Sequence, residues 1–242
     1  MMQGSSLAVV VPSFNEATRL PLLLADLAAG PTDLISELVV VDGGSRDGTS
    51  HLARQGGARV LHTQASRGWQ LQVGVASTTA PWLLLLHADA RLQPGWPEAL
   101  QRAMAAPESA WAFDLAVAGP GLPLRLLELA VRLRTQLRRL PYGDQGLLLP
   151  RALLQRAGGI PQLPLMEDLL LIQRLQRLAP IRRLECPLQV NGRRWRRHGV
   201  LGTAWRNARL RQAWRRGINP QQLAHRYYGS DGAKPLISPE CG

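Results

Sequence analysis

The sequence predicts an α/β fold with a mainly parallel central sheet flanked by helices, followed by a basic helical C-terminal extension. Residues 7–12, 38–41 and 82–86 are continuous apolar runs, as expected of strands that are covered on both faces. Stretches with apolar residues at helical spacing lie between these runs, and this alternation is typical of βαβ units. The length of 242 residues and the hydrophobic content of 45% fit one compact globular domain.

The remaining elements follow from the same periodicities. Residues 18–28 predict a helix because leucine recurs on one helical face at positions 20, 23, 24 and 27. Further helices are predicted at 47–55, 68–77, 94–106, 124–140, 150–157, 167–178 and 200–216. Further strands are predicted at 58–62, 111–117 and 147–149, and another short strand is predicted directly before Asn191. The helix at 124–140 is amphipathic and rich in arginine.

The positive charge of the chain is concentrated in its last third. The net charge is +12, yet residues 1–173 hold 14 arginines and 14 acidic residues and are neutral as a group. The excess after residue 173 predicts an anionic partner, namely a phosphorylated substrate, an anionic lipid surface or nucleic acid. A solvated charged face is the alternative.

The predicted helix at 200–216 carries five of these arginines. Leu201, Ala204, Trp205 and Ala208 lie near one of its faces. The helix either packs on the rest of the chain or lies on an anionic membrane with Trp205 and Trp214 at the interface.

Cysteine content and the N-terminal residues bear on location. Cys186 and Cys241 do not make a disulfide framework, so a reducing compartment is the simpler prediction. Residues 1–6 are short and uncharged and do not predict a signal peptide. No apolar run approaches the roughly 18 residues of a membrane span. We therefore expect a cytoplasmic protein and leave open a peripheral position at the inner face of the membrane.

Polar residues follow the predicted strands at the points where these end. In parallel sheets ligands bind at the carboxyl ends of the strands, where Asn15, Asp42, His87 and Asp89 are expected. Asp42 begins a glycine-containing turn whose backbone can approach a ligand, and its carboxylate can accept hydrogen bonds from a base or ribose. The alternative is a helix-capping turn, and Asp47 is expected to cap the helix that follows.

Three further motifs carry possible chemistry. His87 and Asp89 are spaced to bind Mg²⁺ or Mn²⁺ beside a diphosphate. The pair Glu167-Asp168 begins a helix, where it provides either a general base or favourable charge at the helix N-terminus. The Arg-Arg-Trp motif ending at Trp195 suits phosphate binding and stacking on a sugar or base, or else is a solvated basic loop.

In their order along the chain, these motifs resemble those of the family-2 glycosyltransferases of the GT-A fold. The resemblance covers roughly residues 7–200 and rests on residues 11–16, 41–49 and 86–89, the Glu-Asp pair and the later Arg-Arg-Trp. More narrowly, the chain resembles the bacterial arsenosugar-biosynthesis glycosyltransferases. The supporting stretches are Ser66-Arg-Gly-Trp-Gln-Leu-Gln, His87-Ala-Asp-Ala-Arg-Leu, Pro141-Tyr-Gly-Asp-Gln-Gly146 and Pro164-Leu-Met-Glu-Asp168.

The resemblance implies a role for each matching position. The nucleotide-sugar contacts would be Pro12, Asn15, Glu16, Asp42, Gly44, Arg67, Gly68 and Asp89. Asp89 would also bind a divalent cation, Mn²⁺ or Mg²⁺, although His87 stands where the family has its first acidic residue. Asp168, with Glu167 beside it, would be the catalytic base. The diphosphate or acceptor would meet Asp144, Gln145, Arg194 and Trp195.

The resemblance also implies a reaction and an organisation. A sugar would pass from a nucleoside diphosphate to an acceptor hydroxyl with inversion, the acceptor being a small molecule or lipid-linked. Residues 1–198 would form the catalytic domain, with 1–91 as its nucleotide-binding half and 92–198 as its acceptor half, and 199–242 would be the extension. A sugar-phosphate nucleotidyltransferase is the first alternative, but acidic Glu16 stands where a basic loop would be needed. A nucleic-acid-binding protein is a more distant one, because it leaves the acidic residues unexplained.

Overall fold

The computed structural model describes residues 6–192, 195 and 199–228, apart from the side chains of residues 201 and 226–228. The strands are β1 Leu7–Ser13, β2 Ile35–Asp42, β3 Arg59–His62, β4 Trp82–Leu85, β5 Arg91–Leu92, β6 Ala110–Val117, β7 Leu147–Pro150 and β8 Ile181–Val190. They form one sheet in the order β3-β2-β1-β4-β7-β6-β8-β5. The neighbouring strands β3, β2, β1 and β4 are parallel to one another, and β6 is parallel to β8. The strands β7 and β5 are antiparallel to their neighbours. The predicted α/β fold with a mainly parallel sheet is confirmed.

Helices flank this sheet along its length. They are α1 Leu20–Ala28, α2 Thr49–Gln55, α3 Arg67–Ala76, α4 Trp96–Met104, α5 Leu122–Arg138, α6 Arg151–Arg156, α7 Glu167–Gln176, α8 Val200–Arg215 and α9 Pro220–Tyr228. A 3-10 turn at Gly143–Gln145 precedes β7. The helices predicted from the sequence are all present, with ends within two residues of those expected. The periodicity did not predict α9.

The continuous apolar run in β1 reflects burial on both faces of the sheet. Leu7, Val9 and Val11 belong to one hydrophobic cluster, whereas Ala8 and Val10 belong to another. All five side chains are 0% exposed. Because successive strand residues point to opposite faces, helices must cover this strand on both sides.

The strand β8 was predicted only as a short strand before Asn191. Its residues Leu184, Cys186, Leu188 and Val190 alternate with less buried residues. Ile181 is buried in the other hydrophobic cluster, on the opposite face of the sheet, as the alternation of a strand requires for an odd-numbered residue. The β6–β8 register shifts next to Arg183, and Glu185 has a positive φ of 54°.

The C-terminal helices pack on the rest of the chain. α8 contacts α5 and α9, and its Thr203 and Leu210 are buried. The apolar face predicted from the sequence, with Ala204, Trp205 and Ala208, is exposed and is not the face that packs on the protein. Within the described residues, no helix is both long and apolar enough to span a membrane.

Candidate active site

The carboxylate of Asp42, at the end of β2, is part of a closed turn. Asp42 is 1% exposed. It accepts hydrogen bonds from the Ser45 N–H over 3.0 Å, from the Ser45 hydroxyl, and from the Ser50 hydroxyl over 2.9 Å. The His62 Nδ1 lies 3.6 Å away on the neighbouring strand β3. Asp42 therefore shapes the turn that follows β2, and its contact with a nucleotide stays a prediction.

The loop after β1 is tied to the same turn through Asn15, which has a positive φ of 52°. Its N–H donates to Ser45 Oγ over 2.8 Å, and its Oδ1 accepts the Arg46 N–H over 2.9 Å. The N–H of the next residue, Glu16, donates to Thr49 Oγ1 over 2.9 Å. Asn15 and Glu16 thus join the ends of β1 and β2 into one rim, to which Pro12 in β1 is adjacent.

Asp47 does not occupy the capping position that was expected of it. The N-cap residue of α2 is Gly48, with a φ of 86°. Asp47 lies one residue earlier and accepts the N–H of Thr49 over 3.1 Å and that of Ala17 over 3.0 Å. It therefore connects the start of α2 to the β1 loop.

Gly43, Gly44 and Gly68 differ in how much space lies beside them. A Cβ on Gly43 would lie 2.9 Å from the Ala65 Cα, and one on Gly68 would lie 2.5 Å from the Pro161 carbonyl oxygen. Protein main chain fills the space beside both, so neither glycine needs a ligand to explain it. Contact of the Gly68 main chain with a ribose-diphosphate stays a prediction. Gly44 has a positive φ of 89° and open space around its Cα, so ligand approach stays a prediction there.

A cleft of about 260 Å³ lies beyond the carboxyl ends of β4 and β8. It brings together residues far apart in sequence that were predicted to act together: Arg67, His87, Asp89, Asp144, Glu167, Asp168 and Trp195. The predicted site residues that do not line this cleft are Pro12, Asn15, Glu16, Asp42, Gly44, Gly68 and Gln145. Arg194 lies outside the described residues. The site therefore has two parts, the cleft and the rim formed by the β1 and β2 turns.

An arginine and two acids form the chemical centre of the cleft. The Arg67 Nη1 lies 2.9 Å from Glu167 Oε1 and 3.9 Å from Asp168 Oδ2. Asp168 Oδ2 also accepts the Gly143 N–H over 2.9 Å, and its Oδ1 accepts the Leu169 N–H over 2.7 Å. These two hydrogen bonds fix the orientation of the Asp168 carboxylate, which lines the cleft.

Glu167 differs from its neighbour in its degree of burial. Its side chain is 5% exposed, whereas that of Asp168 is 26% exposed. Burial raises the pKa of Glu167 to about 7; Arg67 opposes this rise and the charge of Asp168 adds to it. A carboxyl group with this pKa can hold or release a proton near neutral pH.

The loop between α5 and β7 fixes the position of Gly143. Gln145 is 0% exposed. Its Oε1 accepts hydrogen bonds from Arg134 over 2.9 Å and from the Tyr142 N–H over 3.2 Å. Its Nε2 donates to the Phe113 carbonyl oxygen over 3.0 Å. Gln145 was expected to contact the diphosphate or acceptor; complete burial corrects this, because the side chain holds the loop from inside.

Two side chains that could bind a divalent cation line the cleft. Asp89 supplies a carboxylate and His87 an imidazole, and both line the cleft. No group of three His, Cys, Asp or Glu side chains suited to a metal occurs within the described residues. The two side chains fit a cation only if a diphosphate and water complete its coordination, as is usual for Mg²⁺ bound with phosphates.

Tyr142, Asn207 and Arg211 line the cleft but were not predicted as site residues from the sequence. Tyr142 lies between two guanidinium groups, with Arg134 at 3.7 Å and Arg211 at 5.1 Å from the ring centroid. Arg211 belongs to α8 and lines the cleft with Asn207. Nothing in the sequence distinguishes Arg211 from its neighbouring arginines, because only the packing of α8 brings it there. The motif 141–146 did include Tyr142.

A family model decides the relationship of this chain to known proteins. The model for glycosyl transferase family 2 matches residues 8–128, which include β1 to β6, the rim, Arg67, His87 and Asp89. The chain belongs to glycosyl transferase family 2. Asp168 and α8 lie beyond the matched residues, so the family match does not test their roles.

Curated relatives agree with this membership over part of their length. An uncharacterized glycosyltransferase of Mycobacterium bovis is 34% identical over 95 residues, which are 39% of this chain and 41% of the relative. The 4,4'-diaponeurosporenoate glycosyltransferase of Staphylococcus haemolyticus is 30% identical over 95 residues, 36% of this chain and 25% of the relative. The matches thus span less than half the length of these relatives.

Solved structures of glycosyltransferases share the fold. S. aureus TarS (residues 1–349) superposes with a TM-score of 0.59 at 20% identity, over 77% of this chain and 60% of that one. Glucosyl-3-phosphoglycerate synthase of Mycobacterium tuberculosis, solved with Mn²⁺, UDP and glucosyl-3-phosphoglycerate, gives 0.57 at 23% identity, over 78% and 71%. The α/β sheet described above is therefore that of GT-A glycosyltransferases. The narrower likeness to arsenosugar enzymes finds no support among these matches.

Proposed function

We propose that this chain transfers a hexosyl group from a nucleoside-diphosphate sugar to an acceptor hydroxyl, with inversion at the anomeric carbon. The observation that carries the proposal is the cluster of Arg67, Glu167 and Asp168 in one cleft with Asp89 and His87. The reaction needs a stabilised leaving group and a deprotonated acceptor. A cation held by Asp89 and His87 would meet the first need, and the oriented carboxylate of Asp168 would meet the second. Family membership supports glycosyl transfer.

In this proposal the donor nucleotide binds at the rim, against Pro12, Asn15, Glu16, Asp42 and Gly44. The open space at Gly44 supports main-chain contact with the ribose or diphosphate. The diphosphate then extends toward Arg67, whose guanidinium is suited to bidentate phosphate contacts. Arg194 and Trp195 are proposed to meet the diphosphate or the acceptor.

Asp89 and His87 would hold the divalent cation, Mn²⁺ or Mg²⁺, beside the diphosphate. The cation would neutralise the charge that the diphosphate gains as it leaves. One carboxylate and one imidazole suit Mn²⁺ at least as well as Mg²⁺. A solved structure of the same fold contains Mn²⁺ with UDP, and this supports the choice.

Asp168 is proposed as the general base. It would take the acceptor proton while the acceptor oxygen forms a bond to the anomeric carbon and the bond from that carbon to the diphosphate oxygen breaks. The Gly143 and Leu169 N–H groups keep this carboxylate oriented. Glu167, with its pKa raised to about 7 by burial, lowers the negative charge beside Asp168 when it is protonated and anchors Arg67 when it is not.

The experiment that tests the proposal is thermal unfolding with UDP, GDP, dTDP and CDP, each with and without Mn²⁺. A nucleotide at 100 times its dissociation constant stabilises a protein by about 2.7 kcal/mol. We expect one nucleotide to raise the melting temperature only with Mn²⁺, and Asp89→Ala to abolish the rise. Glu108→Ala, at an exposed site outside the cleft, is the matched control. Equal melting temperatures with every nucleotide would overturn the proposal.

A further inference from the structure

The helix α5 has two apolar faces, and only one of them meets the protein. Leu124, Val131 and Thr135 are buried against the body of the chain. Five other leucines are between 47% and 77% exposed, namely Leu122, Leu126, Leu129, Leu133 and Leu137. At 3.6 residues per turn these five fall within an arc of about 80°, on the side of the helix opposite the buried residues.

These five leucines, the leucine stripe, are too regularly spaced to be isolated exposed residues. Its members are spaced by four, three, four and four residues, so they form one continuous row about four turns long. A contiguous apolar patch of this kind on a folded protein marks an interaction surface.

Charge indicates which partner fits the stripe. Arg125, Arg132 and Arg139 recur every seven residues and therefore lie along one flank of it, and all three are exposed. Arg125 is held by Glu128 and by the Val117 and Gly119 carbonyl oxygens, so Arg132 and Arg139 are the members that we expect to meet a partner. Gln136 and Arg139 on this flank also line a groove of about 510 Å³ that contains Arg102 and Arg182. Arg183 and Glu185 line it too, but Arg183 is paired with Asp114 over 2.7 Å. The acid on α5, Glu128, is engaged by Arg125 and by the Val117 N–H.

We propose that α5 docks this protein on an anionic lipid bilayer, with the leucine stripe inserted at the interface and the arginine flank against the headgroups. An apolar face bordered by arginines is the pattern of interfacial helices that lie in the plane of a membrane. An antiparallel pair formed with a second copy of the chain fits less well, because it would bring two rows of arginines of like charge together.

The position of α5 links this surface to the cleft. Arg134 on α5 contacts the Tyr142 ring at 3.7 Å and donates to Gln145 in the loop that lines the cleft. α5 also contacts α8, whose exposed Trp205 is a residue type enriched at membrane interfaces. Membrane docking itself does not depend on the proposed reaction, but it would bring the cleft close to a lipid-linked acceptor.

The test is co-sedimentation of the full chain with vesicles of phosphatidylcholine, with and without about 30% phosphatidylglycerol. We expect binding to the anionic vesicles that falls as NaCl is raised, because screening weakens the arginine contacts. Leu126→Gln with Leu133→Gln should reduce the partition constant about tenfold or more, since two inserted leucines are lost. Arg132→Gln should reduce it about fivefold.

Leu22→Gln with Leu178→Gln is the matched control, because these leucines are 46% and 38% exposed on other elements. It should bind like the wild type. The proposal is overturned if the wild type ignores anionic vesicles or if the stripe variant binds as well as the wild type. It is equally overturned if sedimentation shows a dimer that the stripe variant converts to monomer, because the stripe then serves a second copy. Should the stripe variant not fold, Arg132→Glu decides, with a larger loss than Arg132→Gln expected.

Discussion

The guanidinium of Arg67 lies against the main chain of Gly143, where a Cβ atom would overlap Nη2 and lie 2.7 Å from Cζ. The same arginine lies 2.9 Å from Glu167, and the N–H of Gly143 donates to Asp168 over 2.9 Å. Gly143 therefore positions both the Arg67 guanidinium and Asp168, the proposed base. The loop from α5 to β7 thus takes part in building the centre of the site.

Replacement of Gly143 by alanine tests this arrangement. The added methyl group must displace the Arg67 guanidinium and so separate it from Glu167. Misplacement of a catalytic group by about 1 Å can lower a rate up to about 100-fold. We expect Gly143→Ala to lower kcat for sugar transfer between about 10-fold and 100-fold, measured by release of the nucleoside diphosphate.

Gly202→Ala serves as the control for that change. Gly202 is exposed on α8, and a Cβ atom added there would meet nothing within 4 Å beyond its own helix, so alanine fits without displacement. It should leave kcat unchanged and stabilise the helix by about 0.5–1 kcal/mol. Unchanged turnover in Gly143→Ala would show that the Arg67 position does not matter to the reaction.

Glu167 gives the stability of the protein a specific pH dependence. Burial raises its pKa from 4.5 to about 7 in the folded state, whereas the unfolded chain releases this proton near its ordinary pKa. Between these two values the folded state binds more protons, so rising pH lowers the free energy of unfolding. Glu167→Gln removes this dependence. The variant should gain roughly 3 kcal/mol relative to the wild type between about pH 4.5 and pH 8.

Urea unfolding at about pH 4.5 and pH 8 measures this difference. Glu108→Gln, at an exposed position, shows what the loss of a solvated carboxylate does under the same conditions. If the stability difference between Glu167→Gln and the wild type is the same at both pH values, the carboxyl group of Glu167 titrates at its ordinary pKa.

Gln145 is expected to stabilise the loop from inside. Gln145→Leu keeps the volume but leaves the Phe113 carbonyl and the Tyr142 N–H without their partner. Unsatisfied buried groups cost about 1–3 kcal/mol each, so for these two groups we expect the free energy of unfolding to fall by about 2–6 kcal/mol. Gln155→Leu, exposed on α6, should change it by less than about 0.5 kcal/mol. A small effect of Gln145→Leu would mean that the loop does not depend on these bonds.

The parts of the fold that were predicted correctly are those where one physical rule acts locally. β1 is buried on both faces, so each of its residues from Leu7 to Val11 is apolar, and the run is visible in the sequence. β8 was largely missed because its first half carries two consecutive arginines, Arg182 and Arg183, which are not typical of a buried strand. Its acidic and proline residues also obscure the pattern of a strand.

In the candidate site too, some features could be predicted from local sequence and others depend on how the chain packs. Asp89 and Asp168 could be chosen because one follows a strand and the other begins a helix, and the cleft brings both together. The packing of Gly68 against the Pro161 carbonyl is a contact between distant parts of the chain that sequence alone does not reveal. Arg211 was missed for the same reason, since its place depends on how α8 packs.

The two adjacent acids of the cleft should respond differently to loss of charge. Asp168→Asn keeps an oxygen that can accept the Gly143 N–H but removes the proton acceptor, and general bases contribute about 100-fold to 10,000-fold. We therefore expect kcat to fall by at least about 100-fold while the nucleotide-induced rise in melting temperature persists. In Glu167→Gln the base remains and only the partner of Arg67 changes, so kcat should fall by less than about 10-fold. The measurements are turnover and nucleotide-induced thermal shift on both variants. A larger loss of kcat in Glu167→Gln than in Asp168→Asn would assign the base to Glu167, whose pKa of about 7 also suits proton transfer near neutral pH.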